Sequence, residues 1–118
     1  MLARYSGPDR WHYRLLHARS LARAGDHAKA SALADELASD NNLSPTAFYN
    51  LACVYALSVA TLKQDAHLAD RYAVRAVVLL RQAGDAVSPM QVLTDADLDS
   101  LRGRADFRAL IEERQRQP

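Results

Sequence analysis

The stretch Phe48-Tyr49-Asn50-Leu51-Ala52-Cys53-Val54-Tyr55 sets an aromatic, a Leu-Ala pair and a tyrosine at steps of three and four residues. That spacing puts Phe48, Leu51, Ala52 and Tyr55 on one face of a helix. Ala69, Ala73 and Ala76 continue the same steps on a second periodic segment. Upstream by 34 residues, Ala18 matches Ala52 and Leu21 matches Tyr55, and Gly25-Asp26-His27, Ala30 and Ala34 follow. A period of this length marks stacked helical hairpins, none of which can bury its apolar face alone, and such arrays mostly bind other proteins.

Working outward, residues 1–8 read as a frayed start, with Pro8 suited to a first helical turn. A first helix is predicted from about Asp9 to Ala24, with Trp11, Leu15, Ala18, Leu21 and Ala22 inward and Gly25 as its left-handed cap. Asp26 can cap a second helix to about Ser39, with Ala30, Leu33, Ala34 and Leu37 on one face. Asp40-Asn41-Asn42 is a turn cluster. Ser44-Pro45 starts a third helix that runs to about Thr61 and buries Phe48, Leu51, Ala52, Tyr55 and Val59. The polar stretch Lys63-Gln64-Asp65 breaks it, and a fourth helix carries Leu68, Ala69, Tyr72, Ala73, Ala76, Leu79 and Leu80 to near Gly84. Tyr55 to Ala69 spans 14 residues where Leu21 to Ala30 spans 9, so the second hairpin arm is the longer.

After Gly84 the repeat is lost. Ser88-Pro89 and Thr94-x-x-Asp97 are two more helix-start signals. They predict short turns at about 89–93 and 95–101, a stop at Gly103, and a last helix from about Ala105 to Arg116 with Phe107, Leu110 and Ile111 inward. This tail is expected to cover the bare face of the fourth helix, as repeat arrays require. The reading is an all-α single domain over residues 1–118: a first repeat at 9–42, an extended second repeat at 44–84, and a capping tail at 88–116.

The chain is 118 residues long, 49% apolar and 25% charged, with a net charge of +1. This is ordinary globular composition, and the near-zero charge argues against nucleic acid or a membrane surface as partner. The apolar stretch Ala73 to Leu80 is interrupted by Arg75 and is too short to span a bilayer. The N-terminus has no apolar signal segment, so a cytoplasmic setting is expected. Cys53 is the single cysteine and sits inside an apolar helix, where a thiol packs as a small hydrophobe.

Phe48-x-x-Leu51-Ala52-x-x-Tyr55, with Ala69 and Ala76, resembles the tetratricopeptide repeat, with Phe for its usual Trp and Ala for its Gly. Ala18, Leu21, Gly25-Asp26, Ala30 and Leu37 resemble a weaker copy. That copy has Arg14 and His17 where the family has apolar residues, and Ala34 and Ala73 stand where an aromatic is common. The resemblance implies two antiparallel helical hairpins in an α-α superhelix, closed by C-terminal capping helices. A narrower resemblance covers roughly residues 10–112. Tyr49 to Leu57, Tyr72 to Ala76 and above all Thr94 to Arg108 are similar to the C-terminal tetratricopeptide region of large bacterial serine/threonine protein kinases. It implies a non-catalytic region. No glycine-rich phosphate loop, His-Arg-Asp or Asp-Phe-Gly motif occurs in the chain.

In this family the leading helices line a concave groove. By that resemblance His12, Leu15, Leu16, Arg19 and Arg23 from the first hairpin, and Thr46, Tyr49, Asn50, Cys53 and Leu57 from the second, would line it. Asn50 matches an asparagine that often contacts a peptide backbone. Arg19 and Arg23 lie at i, i+4 and would favour an acidic partner. His12, His17, His27 and His67 lack metal-ligand spacing, and His27 is expected to pack against the hairpin turn. Asp95, Asp97 and Asp99 lack the Gly and Glu of a calcium loop and read as helix-capping residues. No cofactor, metal or catalytic residue is predicted. The expected function is a protein-binding adaptor or scaffold module that takes a peptide or helix. The second reading is a structural segment of a longer array or a homodimerising domain.

Overall fold

The computed structural model describes residues 7–40, 42–84 and 87–116, and every regular element in them is helical. Four long helices come first: α1 (Gly7–Arg23), α2 (His27–Ala38), α3 (Pro45–Thr61) and α4 (Ala66–Ala83). A short helix α5 (Pro89–Thr94), a 3-10 helix (Ala96–Leu101) and α6 (Ala105–Arg116) complete the chain. The expected features within residues 1–6, and Asn41 of the turn cluster, lie outside the described residues.

The punctuation follows from local chemistry. Gly25 has φ +90°, its N–H donates to Ala22 O, and the Asp26 N–H reaches back to Leu21 O. These two bonds close α1 in the Schellman pattern, which needs a left-handed residue and so favours glycine. Side-chain oxygens of Asp26, Ser44, Asp65 and Ser88 each accept the backbone N–H three residues on, capping α2 to α5. Asp40 Oδ1 accepts the Asn42 N–H and turns the chain between the hairpins.

Trp11 Nε1 donates to Leu37 O, and Arg14 pairs with Glu36, so the start of α1 lies beside the end of α2 and the two are antiparallel. The Tyr55 and Tyr72 rings, 6.1 Å apart, mark the same relation between α3 and α4. The longer arm is taken up by extra helix beyond Tyr55, with a connection of only Leu62 to Asp65. Helix α3 packs on α1, α2, α4 and the 3-10 helix. Its residues Leu51 to Ala56 are all buried, because a helix that is apolar all round needs cover on every side. Alanines at 18, 22, 30, 34, 52, 56 and 76 have no exposed surface and let the helices approach closely.

Three expectations change. Phe48 and Val59 are half-buried at the core edge, whereas Tyr49, read as a groove residue, is buried. The 3-10 helix is capped by Asp95 and not Thr94, whose hydroxyl instead donates to Met90 O within α5. The tail also divides its cover. Helix α6 packs on α4, while the 3-10 helix crosses to α3 and reaches α1.

Candidate interaction groove

Arg19 and Arg23 are one turn apart on α1 and face the same way. Tyr49 and Cys53 hold the equivalent relation on α3. Between them lies the 3-10 helix, seated by Leu98 and Leu101, which have no exposed surface. Its carboxylates meet the predicted groove residues directly. Arg19 Nη2 donates to Asp97 Oδ2 at 2.5 Å, and Arg23 Nη2 donates to the same oxygen at 3.1 Å. The Tyr49 hydroxyl donates to Asp95 Oδ2 at 2.5 Å. Ser100 Oγ donates to Ala56 O at 2.7 Å, tying the segment to the α3 backbone.

Asp95 is organised for this. Its Oδ1 accepts the Asp97 N–H and its carbonyl accepts Arg102 Nη2, so its Oδ2 is left to Tyr49. The Asp97 side chain is only 14% exposed, while Arg23 remains 54% exposed beside it. One atom is left over: Arg19 Nε is buried and meets no acceptor. Burial raises the Tyr49 phenol above its usual range, and the bond to Asp95 adds to the rise. Burial likewise pushes the Cys53 thiol up to about 12, helped by the Asp95 charge and opposed by Arg19. A thiol held there is a packing group and not a nucleophile.

The structure therefore brings Arg19, Arg23, Tyr49 and Cys53 together and places the chain's own tail over them. Leu15, Tyr49 and Cys53 do not line an open surface. They are closed off because the apolar side of α3 needs cover. His12, Leu16 and Thr46 are exposed, and Asn50 and Leu57 are half-buried. The residues missed by sequence reasoning are Asp95, Asp97 and Ser100. Asp95 does cap, and Asp99 pairs with Arg102, but Asp97 serves α1. The available signal was α3 itself, whose Tyr49, Cys53 and Leu57 add an apolar second face that something must cover.

Trailing helices carry a separate polar cluster. The Tyr72 hydroxyl lies 3.2 Å from His27 Nδ1 and 3.0 Å from Ser31 Oγ, so His27 packs across to α4, and it also faces the turn Thr61 to Asp65 between α3 and α4. Tyr55 donates to Asp35 at the floor of a 200 Å³ cleft lined also by Leu68, Arg71, Tyr72 and Arg75. Among the described residues no group of three His, Cys, Asp or Glu side chains is placed to hold a metal ion, and no helix is long and apolar enough to cross a membrane. Comparison with protein-family models, with curated proteins and with solved structures finds no match to this chain.

Proposed function

We propose that the chain is a non-catalytic protein–protein interaction module of tetratricopeptide type that recognises an acidic peptide or helix. One observation carries this reading. Arg19 and Arg23 of α1 and Tyr49 of α3 turn to one place and hold two carboxylates there. Cationic forks and a phenol on rigid helices form a receptor for carboxylate side chains, and charge complementarity of this kind sets partner choice. The likeness of the Thr94–Arg108 tail to bacterial serine/threonine kinases supports the narrower proposal of a regulatory region of such a kinase, in the cytoplasm. Titration calorimetry with acidic peptides tests the module reading. Binding is expected to weaken with added salt and to fall with Arg19→Glu. An affinity indifferent to both changes would sink the groove assignment.

A second reading, self-association within a longer array, rests on Val74 and Val78. They are one turn apart on α4 and exposed. Sedimentation over a range of concentrations tests it, with loss of any dimer expected in a Val74→Asp, Val78→Asp double variant.

A further inference from the structure

We infer that the Asp95–Leu101 segment is a cis-acting stand-in for the groove's ligand, and that the trans ligand is a peptide with two carboxylates two residues apart followed by leucines. This rests on the interaction-module reading above and names its partner chemistry. Every side chain through which the segment is seated has a counterpart that a separate peptide could supply. Asp95 meets Tyr49, Asp97 meets Arg19 and Arg23, and Leu98 and Leu101 fill the apolar floor. The ion pair and the phenol bond join residues 78 and 46 positions apart, so they are docking contacts and not products of local chain geometry.

The fit is also incomplete, as expected of an occupant that can be exchanged. Arg19 engages Asp97 through Nη2 alone, and its buried Nε has no acceptor. A carboxylate facing the edge of the guanidinium would take two parallel bonds, the stronger arrangement. Glutamate in the place of Asp97, one methylene longer, is the residue suited to reach Nε. The tethered segment competes at the high effective concentration of an intramolecular partner, so the open groove is a minor population and apparent affinity in trans is reduced by that fraction.

The test uses the full chain and a labelled synthetic peptide spanning Leu93–Gly103 of this sequence, with a second peptide carrying Asp97→Glu. Loosening the cis segment with Asp97→Asn in the chain is expected to tighten peptide binding roughly ten-fold or more. The Glu peptide is expected to bind tighter than the Asp peptide, and Arg19→Glu in the loosened chain to remove the gain. Should Asp97→Asn melt the protein, Ser100→Ala removes the tie to Ala56 without altering an arginine, and the same gain is expected. No gain in either variant, or a gain that survives Arg19→Glu, overturns the inference. If acidic peptides bind the unaltered chain through Arg19 and loosening adds nothing, the inference fails while the module reading stands. If no acidic peptide binds any of these proteins, both fall.

Discussion

Arg104 Nη1 donates to Asp70 Oδ1 at 2.8 Å, and the two residues stand 34 positions apart, the interval that separates Ala18 from Ala52. Arg114 Nη2 reaches Leu80 O across the same interval. Buried Phe107 and Leu110 follow buried Ala73 and Ala76 by 34 residues as well. With Arg81 paired to Glu113, these contacts make α6 parallel to α4. The 34-residue interval read between α1 and α3 thus recurs between α4 and α6, whereas the longer second arm sets Ala30 of α2 and Ala69 of α4 39 residues apart. Between α4 and α6, α5 ends at Thr94 and the extended backbone of Asp95 sends the chain across α3.

Arg104 fastens α6. It bonds Asp70 on α4 and both oxygens of Asp106 on α6. Asp70 is mostly exposed, so the whole set is worth only about 1 kcal/mol. Arg104→Ala is expected to lower the melting temperature by roughly 3–6 °C. Amide exchange should quicken in α6 before α3, and uniform quickening would contradict a local fastening.

The alanine crossings make a steeper prediction. Ala52 has no exposed surface and sits where α3 meets its neighbours. Ala52→Leu is expected to cost about 1–3 kcal/mol by overpacking. Ala28→Leu, at an exposed site on α2, is the control and is expected to change stability by under about 0.5 kcal/mol. Equal melting midpoints for the two would remove the crossing from the account.

Most helix bounds were legible because their signals are local. Gly25-Asp26, Ser44-Pro45 and Ser88-Pro89 each satisfy backbone groups within three or four residues, and sequence spacing reports such geometry directly. Arg19, Arg23 and Tyr49 were grouped only through the tetratricopeptide resemblance, as the lining of an open groove. The segment that covers them was not legible. The Arg19–Asp97 contact spans 78 residues, and a 3-10 helix carries no amphipathic period to announce which face it seeks. The exchange of Phe48 and Tyr49 has the same origin. The resemblance to the tetratricopeptide repeat set Phe48 between hairpins, while here the tail makes the Tyr49 side interior.

Cys53 should report the tail's closure. Its thiol lies under the 3-10 helix with no exposed surface and is pushed up to about 12. At pH 8 such a thiol is ionised to about one part in ten thousand. Reaction with a thiol-specific disulfide reagent is therefore expected to be about a hundred-fold slower, or more, than in urea-unfolded chain. Ser100→Ala, which loosens the segment, should raise the native rate without moving the unfolded one. A native rate equal to the unfolded rate would show that the tail leaves Cys53 open.

Acid should act on the α4–α6 seam. Bonding to Arg104 holds the Asp106 carboxyl below its usual range, against a smaller opposing effect of burial, and the Phe107 N–H adds to the lowering. Glu113 is lowered in the same way by Arg81. A carboxyl with a depressed folded pKa stabilises the protein above its unfolded pKa, near 4, and that stabilisation drains away as pH falls through the folded value. The Asp106 side chain is 37% exposed, so its share is about 0.5–1 kcal/mol after solvent screening. Asp106→Asn should thus lower the urea midpoint at pH 7 and keep that deficit down to about pH 4. The gap should then close between pH 4 and pH 2 as the unaltered chain loses the same interaction. Urea titrations of both proteins at pH 7, 4 and 2.5 check this. A deficit undiminished at pH 2.5 would mean that Asp106 acts through packing or as a neutral hydrogen-bond acceptor, and that the Arg104 ion pair adds nothing to the seam.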